Sequence, residues 1–143
     1  FKPAFSTGDR FWINTSYTYN DLYFNGDPIY GNNRLPGLPP HAIRAELLYK
    51  HPSGFYVGPN TEATPQSYFV DSANTTTADP YALLNFKCGF EREGHWSGYF
   101  EGRNLTNVRW IATVDIAERA NDSSALFFPG DGRAVYGGLR FKW

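Results

Sequence analysis

Apolar and polar residues alternate with a period of two through several segments of this chain. Between residues 10 and 20, Phe11, Ile13, Tyr17 and Tyr19 share one phase, and Asn14, Ser16, Thr18 and Asn20 share the other. Residues 41–50 oppose Ile43, Ala45, Leu47 and Tyr49 to Arg44, Glu46 and Lys50, with Leu48 the exception on the polar side. Residues 80–91 place Ala82, Leu84, Phe86, Cys88 and Phe90 against Asn85, Lys87 and Glu91. The last segment sets Val135, Gly137, Leu139, Phe141 and Trp143 against Tyr136, Gly138, Arg140 and Lys142. A period of two means strands with one apolar face. Phe55 to Val57 starts a further strand, and Ser67 to Val70 extends one into an otherwise polar stretch. From His95 the even phase runs through Trp96, Gly98 and Phe100 to Val108, Trp110, Ala112, Val114 and Ile116. This predicts one long strand over 95–116, or two that keep the same facing, with a turn at Asn104–Asn107 as the competing reading. The expectation is an all-β, antiparallel up-and-down meander of six strands.

The connections sort by length. Breaker-rich stretches near 21–39, 60–79 and 117–132 are long, and those near 51–54 and 91–94 are short. Long loops at one end and short turns at the other is the asymmetry of outer-membrane barrels. Such loops also count against a compact soluble domain. Segments 41–50, 81–91 and 133–143 have the length of about 9–11 residues that a tilted strand needs to cross a bilayer. Phe, Trp and Tyr make up 18% of residues, beside 14 glycines and 10 prolines. That composition suits any all-β protein. No run approaches the roughly 18 apolar residues of a membrane helix, a test to which alternating strands are blind. The fold expected is therefore a segment of a transmembrane β-barrel. Two alternatives stay open: a small closed barrel of structural or adhesive role, and a soluble β-sandwich that binds carbohydrate.

Several chemistries are excluded. Net charge is −1 without a basic block, so the footprint of a nucleic-acid binder is missing. Cys88 is the single cysteine, so no internal disulfide can form. It shares the apolar face with Leu84, Phe86 and Phe90, as a buried or lipid-facing thiol would. His41, His51 and His95 have no metal-ligand spacing, and no nucleophile elbow is present. Glu91, Glu93 and Glu101 read as a solvated face near a turn, and the sequon-like stretches at Asn14, Asn74 and Asn104 read as polar strand and loop residues. No enzyme activity, metal or cofactor is expected. The chain begins at Phe1 and contains no Met, as a piece of a longer polypeptide would.

Three stretches carry a family likeness. Phe128-Pro129-Gly130-Asp131-Gly132-Arg133, followed by an alternating strand ending on Trp143, resembles the last loop and strand of TonB-dependent outer-membrane receptors. Asn104-Leu105-Thr106-Asn107-Val108-Arg109-Trp110 resembles that family's Asn-Leu-(Phe/Thr)-Asp-x-x-Tyr signature, with Asn107 in the place of Asp and Trp110 in that of Tyr. Arg34-Leu35-Pro36-Gly37-Leu38-Pro39-Pro40-His41 resembles its Leu-Pro-x-x-Pro-x-His strand entry.

The resemblance implies that residues 1–143 are the C-terminal part of a much larger barrel, whose plug and earlier strands lie elsewhere. It places the Asn104 stretch within a long strand, the short turns in the periplasm and the long loops outside the cell. It implies a Gram-negative outer membrane, with lipid, the rest of the barrel, the plug, the TonB complex and a ferric chelate or similar small ligand as partners. The implied function is energised uptake of a scarce solute, most often a ferric siderophore. Tyr30, Arg34, Arg109 and Arg119 are the candidate ligand contacts, because Arg pairs with carboxylate-rich chelates and aromatics stack on them. They are equally readable as ordinary loop residues. Leu139, Phe141 and Trp143 resemble the C-terminal signal for barrel insertion.

Overall fold

The computed structural model describes residues 8–91, 96–121 and 123–141. Among them it holds strands and turns without a helix. Six strands form one sheet: β1 (Arg10–Tyr19), β2 (His41–Lys50), β3 (Phe55–Thr64), β6 (Tyr81–Glu91), β7 (Trp96–Arg103) and β10 (Ala134–Phe141), paired in that order and antiparallel throughout. The remaining strands are short. β4 (Tyr68–Phe69) pairs β5 (Thr77–Ala78) within the second long connection, and β8 (Ile111–Val114) pairs β9 (Phe127–Pro129) within the third. The meander is therefore unbroken, and two of its long connections carry a small ladder of their own.

The register keeps the two faces separate across the sheet. Ile13 pairs Leu47, Tyr49 pairs Val57, Val57 pairs Cys88, Cys88 pairs Phe100 and Phe100 pairs Gly137. On the other face Ser16 pairs Arg44, Arg44 pairs Glu62, Lys87 pairs Glu101 and Glu101 pairs Tyr136. A one-residue slip anywhere would mix the faces. Aromatics crowd the turn end of the apolar face, where Phe11 lies 4.8 Å from Tyr49 and Phe90 5.1 Å from Trp96 between ring centroids. Tyr17, Tyr19 and His41 cluster at its loop end, with the Tyr17 hydroxyl hydrogen-bonded to His41 Nδ1 at 2.8 Å. Between the two belts the face is largely apolar and left open, with Ile13, Leu47 and Leu84 exposed.

The tight turn at His51–Gly54 is as expected, closed by Gly54 N–H to His51 O at 3.0 Å. Two readings change. β3 runs on to Thr64, so the second long connection begins later than residue 60. The long strand over 95–116 is not formed: β7 stops at Arg103, and Asn104 and Asn107 adopt left-handed φ values of 47° and 54°. Asn tolerates that conformation better than most residues. An interruption of even length leaves the parity of the alternation intact, so a period of two cannot reveal it. Beyond the turn the parity does slip, at a bulge between Ile111 and Thr113. As a result Ile111 and Val114, of opposite phase, pack against the same buried cluster. The turn expected at 91–94 lies outside the described residues apart from Glu91, as does His95.

Candidate functional site

The polar face and the long loops hold the side chains that can meet a ligand. On the polar face oppositely charged residues pair across strands. Lys87 Nζ reaches Glu46 at 2.8 Å, Arg44 Nε reaches Glu62 at 3.3 Å, and Arg103 Nε reaches Glu101 within its own strand at 2.8 Å. Asn85 Nδ2 donates to Asn60 Oδ1 at 2.9 Å. These groups line an open trough running from Asn14 and Ser16 on β1 to Glu101 on β7. Each pair is partly solvated and contributes only about 0–1 kcal/mol. The result is a wet, charge-balanced wall that can face water or a polar occupant.

Nearer the turn end, one row of that face reads Lys50, Tyr56, Gly89, Tyr99, Gly138 across five strands. The Tyr56 ring lies over Gly89 and the Tyr99 ring over Gly138, so closely that a Cβ on either glycine would stand 2.4–2.5 Å from ring or hydroxyl atoms. Lys50 Nζ sits 5.7 Å from the Trp12 ring and 6.0 Å from that of Tyr56, within cation–π reach.

The first loop folds back on itself through bridges between Tyr23 and Arg34 and between Asp27 and Gly31. Asp27 Oδ1 accepts from the Ile29 and Tyr30 amides, as Asp does in tight turns. The second and third loops share a core. Val70 and Ala78 are wholly buried with Leu126, and Tyr68, Ile111, Val114, Ala117 and Ala120 pack around them. Asp71 is also wholly buried. Its carboxylate accepts hydrogen bonds from the Thr75 amide and hydroxyl, the Thr76 amide and, across the loops, the Ala120 amide. Burial alone would raise its pKa, but these donors outweigh that and hold the carboxyl below its ordinary value.

The expected ligand contacts are gathered unevenly. The Tyr30 ring lies tilted against that of Phe24, with 5.1 Å between centroids. Desolvation, then the charges of Glu118 and Asp27, raises the pKa of its hydroxyl, which therefore stays a neutral donor. Arg34 pairs with Asp21 at 3.3 Å, and its backbone is gripped by Asn74, which accepts from the Arg34 amide and donates to its carbonyl. Arg119 adjoins Glu118, whose carbonyl accepts from the Ala73 amide. Tyr30, Arg34 and Arg119 thus belong to one loop cluster. Arg109 lies apart, beside the Asn104 turn, and neither it nor Arg119 forms an ion pair with a described residue. Leu139 and Phe141 stand exposed on the apolar face, while Trp143 lies outside the described residues.

The motif residues have a structural account. Asn104 is nearly wholly buried. Its Nδ2 donates to the Val108 and Asp131 carbonyls, its Oδ1 accepts from the Val108 amide, and its own amide donates to Asn85 Oδ1. Leu105 covers Gly102. Asn107 Oδ1 accepts from the Arg133 amide. Trp110 donates from Nε1 to the Asp131 carbonyl, and its ring rests on Gly130, where a Cβ would stand 2.0 Å away. The Asn104–Trp110 and Pro129–Arg133 stretches, read separately in sequence, are thus welded together. Sequence reasoning did not find Asp71 or the loop core. The Asp71-x-x-x-Thr75-Thr76 spacing is the available signal, since Asp binds amides a few residues on.

A single antiparallel sheet with a largely apolar face between aromatic belts and a charge-paired opposite face is the wall of a β-barrel, apolar outside and polar within. The model of the family "TonB dependent receptor-like, beta-barrel" matches residues 5–105, and the chain belongs to that family. Among solved structures it is similar to the siderophore receptor PiuA from Acinetobacter baumannii, with a TM-score of 0.73 at 20% sequence identity. That likeness covers 97% of this chain and 20% of the receptor, so the chain spans about a fifth of the length of the protein it matches.

Proposed function

We propose that this chain is the C-terminal part of the barrel wall of an outer-membrane receptor that takes up a scarce solute, a ferric siderophore being the best candidate, with energy delivered by TonB through parts of the protein outside these residues. The observation that carries the reading is the two-faced sheet. Its apolar face suits lipid and its charge-paired face suits a watery or protein-filled lumen, on a chain that belongs to the TonB-dependent receptor barrel family. The likeness to a protein that is itself a siderophore receptor favours iron chelates among possible cargoes. Tyr30, Arg34 and Arg119 are the side chains of the loop cluster proposed to meet the ligand, with Arg109 a fourth proposed contact outside that cluster. In this reading the chain performs transport and holds no reacting group.

The test is uptake of radiolabelled ferric siderophores by iron-starved cells carrying or lacking the whole gene. TonB-dependent accumulation lost on deletion supports the proposal. Equal accumulation across a panel of catecholate, hydroxamate and carboxylate siderophores rules out the iron cargo. Leu139, Phe141 and Trp143 are proposed to present the insertion signal, so removing Trp143 should lower the amount of receptor in the outer membrane, measured by blotting. An undiminished yield would remove that role.

A further inference from the structure

We propose that the three long loops form a single body clasped by Asp71, and that they order and move together rather than one by one. The segment around β4 and β5 stands at the centre. Towards the third loop, Asp71 accepts from the Ala120 amide at 3.2 Å, Ser72 N donates to Ala117 O at 2.9 Å and Ala73 N to Glu118 O at 2.9 Å. Towards the first loop, Asn74 holds both backbone groups of Arg34 at 2.8 and 2.9 Å, Asn33 Nδ2 donates to Ser72 O at 2.9 Å, and Gly37 N donates to Phe69 O at 2.7 Å.

These links are coupled through one carboxylate. Asp71 closes the turn that carries Ser72, Ala73 and Asn74: its Oδ1 accepts from the Thr75 and Thr76 amides, while its Oδ2 accepts from the Thr75 hydroxyl and from the Ala120 amide. Removing the carboxylate leaves amides on the second and third loops without their acceptor and loosens the turn from which Asn74 grips the first loop. Hydrogen bonds to a buried charge are among the stronger ones, and the apolar cluster of Val70, Ala78 and Leu126 keeps water from replacing them. Segments that open separately show separate exchange rates, whereas a cooperative unit shows one.

The experiment is hydrogen exchange, read by mass spectrometry, on the protein expressed from its whole gene and held in detergent, without ligand. It is independent of the uptake reading, because no cargo enters it. In Asp71→Ala, exchange should accelerate by about tenfold or more in residues 68–78, 111–121 and 22–37 alike, while β1 and β2 stay at their original rates. Acceleration confined to 70–77 overturns the proposal. Should that variant fail to accumulate, Asn74→Ala separates the outcomes. It should accelerate exchange in 22–37 and, because the loops open as one unit, in 111–121 as well, and acceleration confined to 22–37 overturns the proposal.

Discussion

Val70 and Ala78, in the loops, are wholly buried, whereas Leu139, on the sheet, is 72% exposed and Val135 is 61% exposed. The two regions thus treat apolar surface in opposite ways. The loop cluster hides its aliphatic side chains behind hydrogen-bonded backbone, as any water-soluble protein does. The sheet turns its own outward in a continuous field bounded by Phe11, Tyr49, Phe90 and Trp96 at one end and by Tyr17, Tyr19 and His41 at the other. A field of that size left to water marks an interaction surface. The contrast shows that one short chain is built for two solvents, with the change between them at the ends of the strands.

The largest expected effect tests the sheet side of this contrast. Leu47 stands on β2 between Tyr49 of one belt and His41 of the other, and it is partly exposed. Leu47→Arg should destabilise the folded receptor by about 2–4 kcal/mol, the cost of a cation at the bilayer midplane, read by urea titration in lipid vesicles. A change below about 0.5 kcal/mol, ordinary for a water-facing site, would break the comparison. Next comes the junction between the regions. Asn104→Ala removes three side-chain hydrogen bonds at a left-handed residue. About 2–3 kcal/mol should be lost in the same titration, and Asn104→Gly should recover only the backbone part.

A gentler probe addresses the loops alone. The Asp71 carboxyl has a depressed pKa in the folded state, so its contribution is present above the ordinary carboxylate range and is lost as pH falls through the folded value. Loop protection measured by hydrogen exchange should be flat from neutrality down to the ordinary Asp pKa near 3.9 and should decline only below it. A decline already at pH 6 would assign the clasp to another group. The smallest effect belongs to the lumen-type face. Arg44→Ala, at an exposed ion pair with Glu62, should cost at most about 1 kcal/mol, and a larger loss would mean that the trough is dry rather than wet.

The sheet was legible in the sequence because both of its faces obey one simple rule. Where Phe86, Cys88 and Phe90 alternate with Asn85, Lys87 and Glu91, the strand and its two faces follow from parity, while the pairing of Cys88 with Val57 and Phe100 does not. The loops obey no such rule. Their order comes from contacts between residues far apart, such as Asn74 with Arg34 and Asp71 with Ala120, and from Asn104 and Asn107 entering a backbone region that parity cannot register. The motif residues were noticeable as a likeness long before their job was visible. Asn104 and Trp110 both bind the Asp131 carbonyl, a meeting of segments separated by 27 and 21 positions. Of the expected ligand contacts, Tyr30, Arg34 and Arg119 gather in one place and Arg109 does not. Residue type alone chose them, and type says nothing of which loop tips converge.

The tyrosines laid over Gly89 and Gly138 set the relief of the polar face. A tyrosine that stood upright from the sheet would raise a ridge at that level. Folded flat over the neighbouring glycine, it leaves the row smooth and aromatic. Exchanging either glycine for a larger residue would push a ring out of that seat and roughen the face by the height of a side chain.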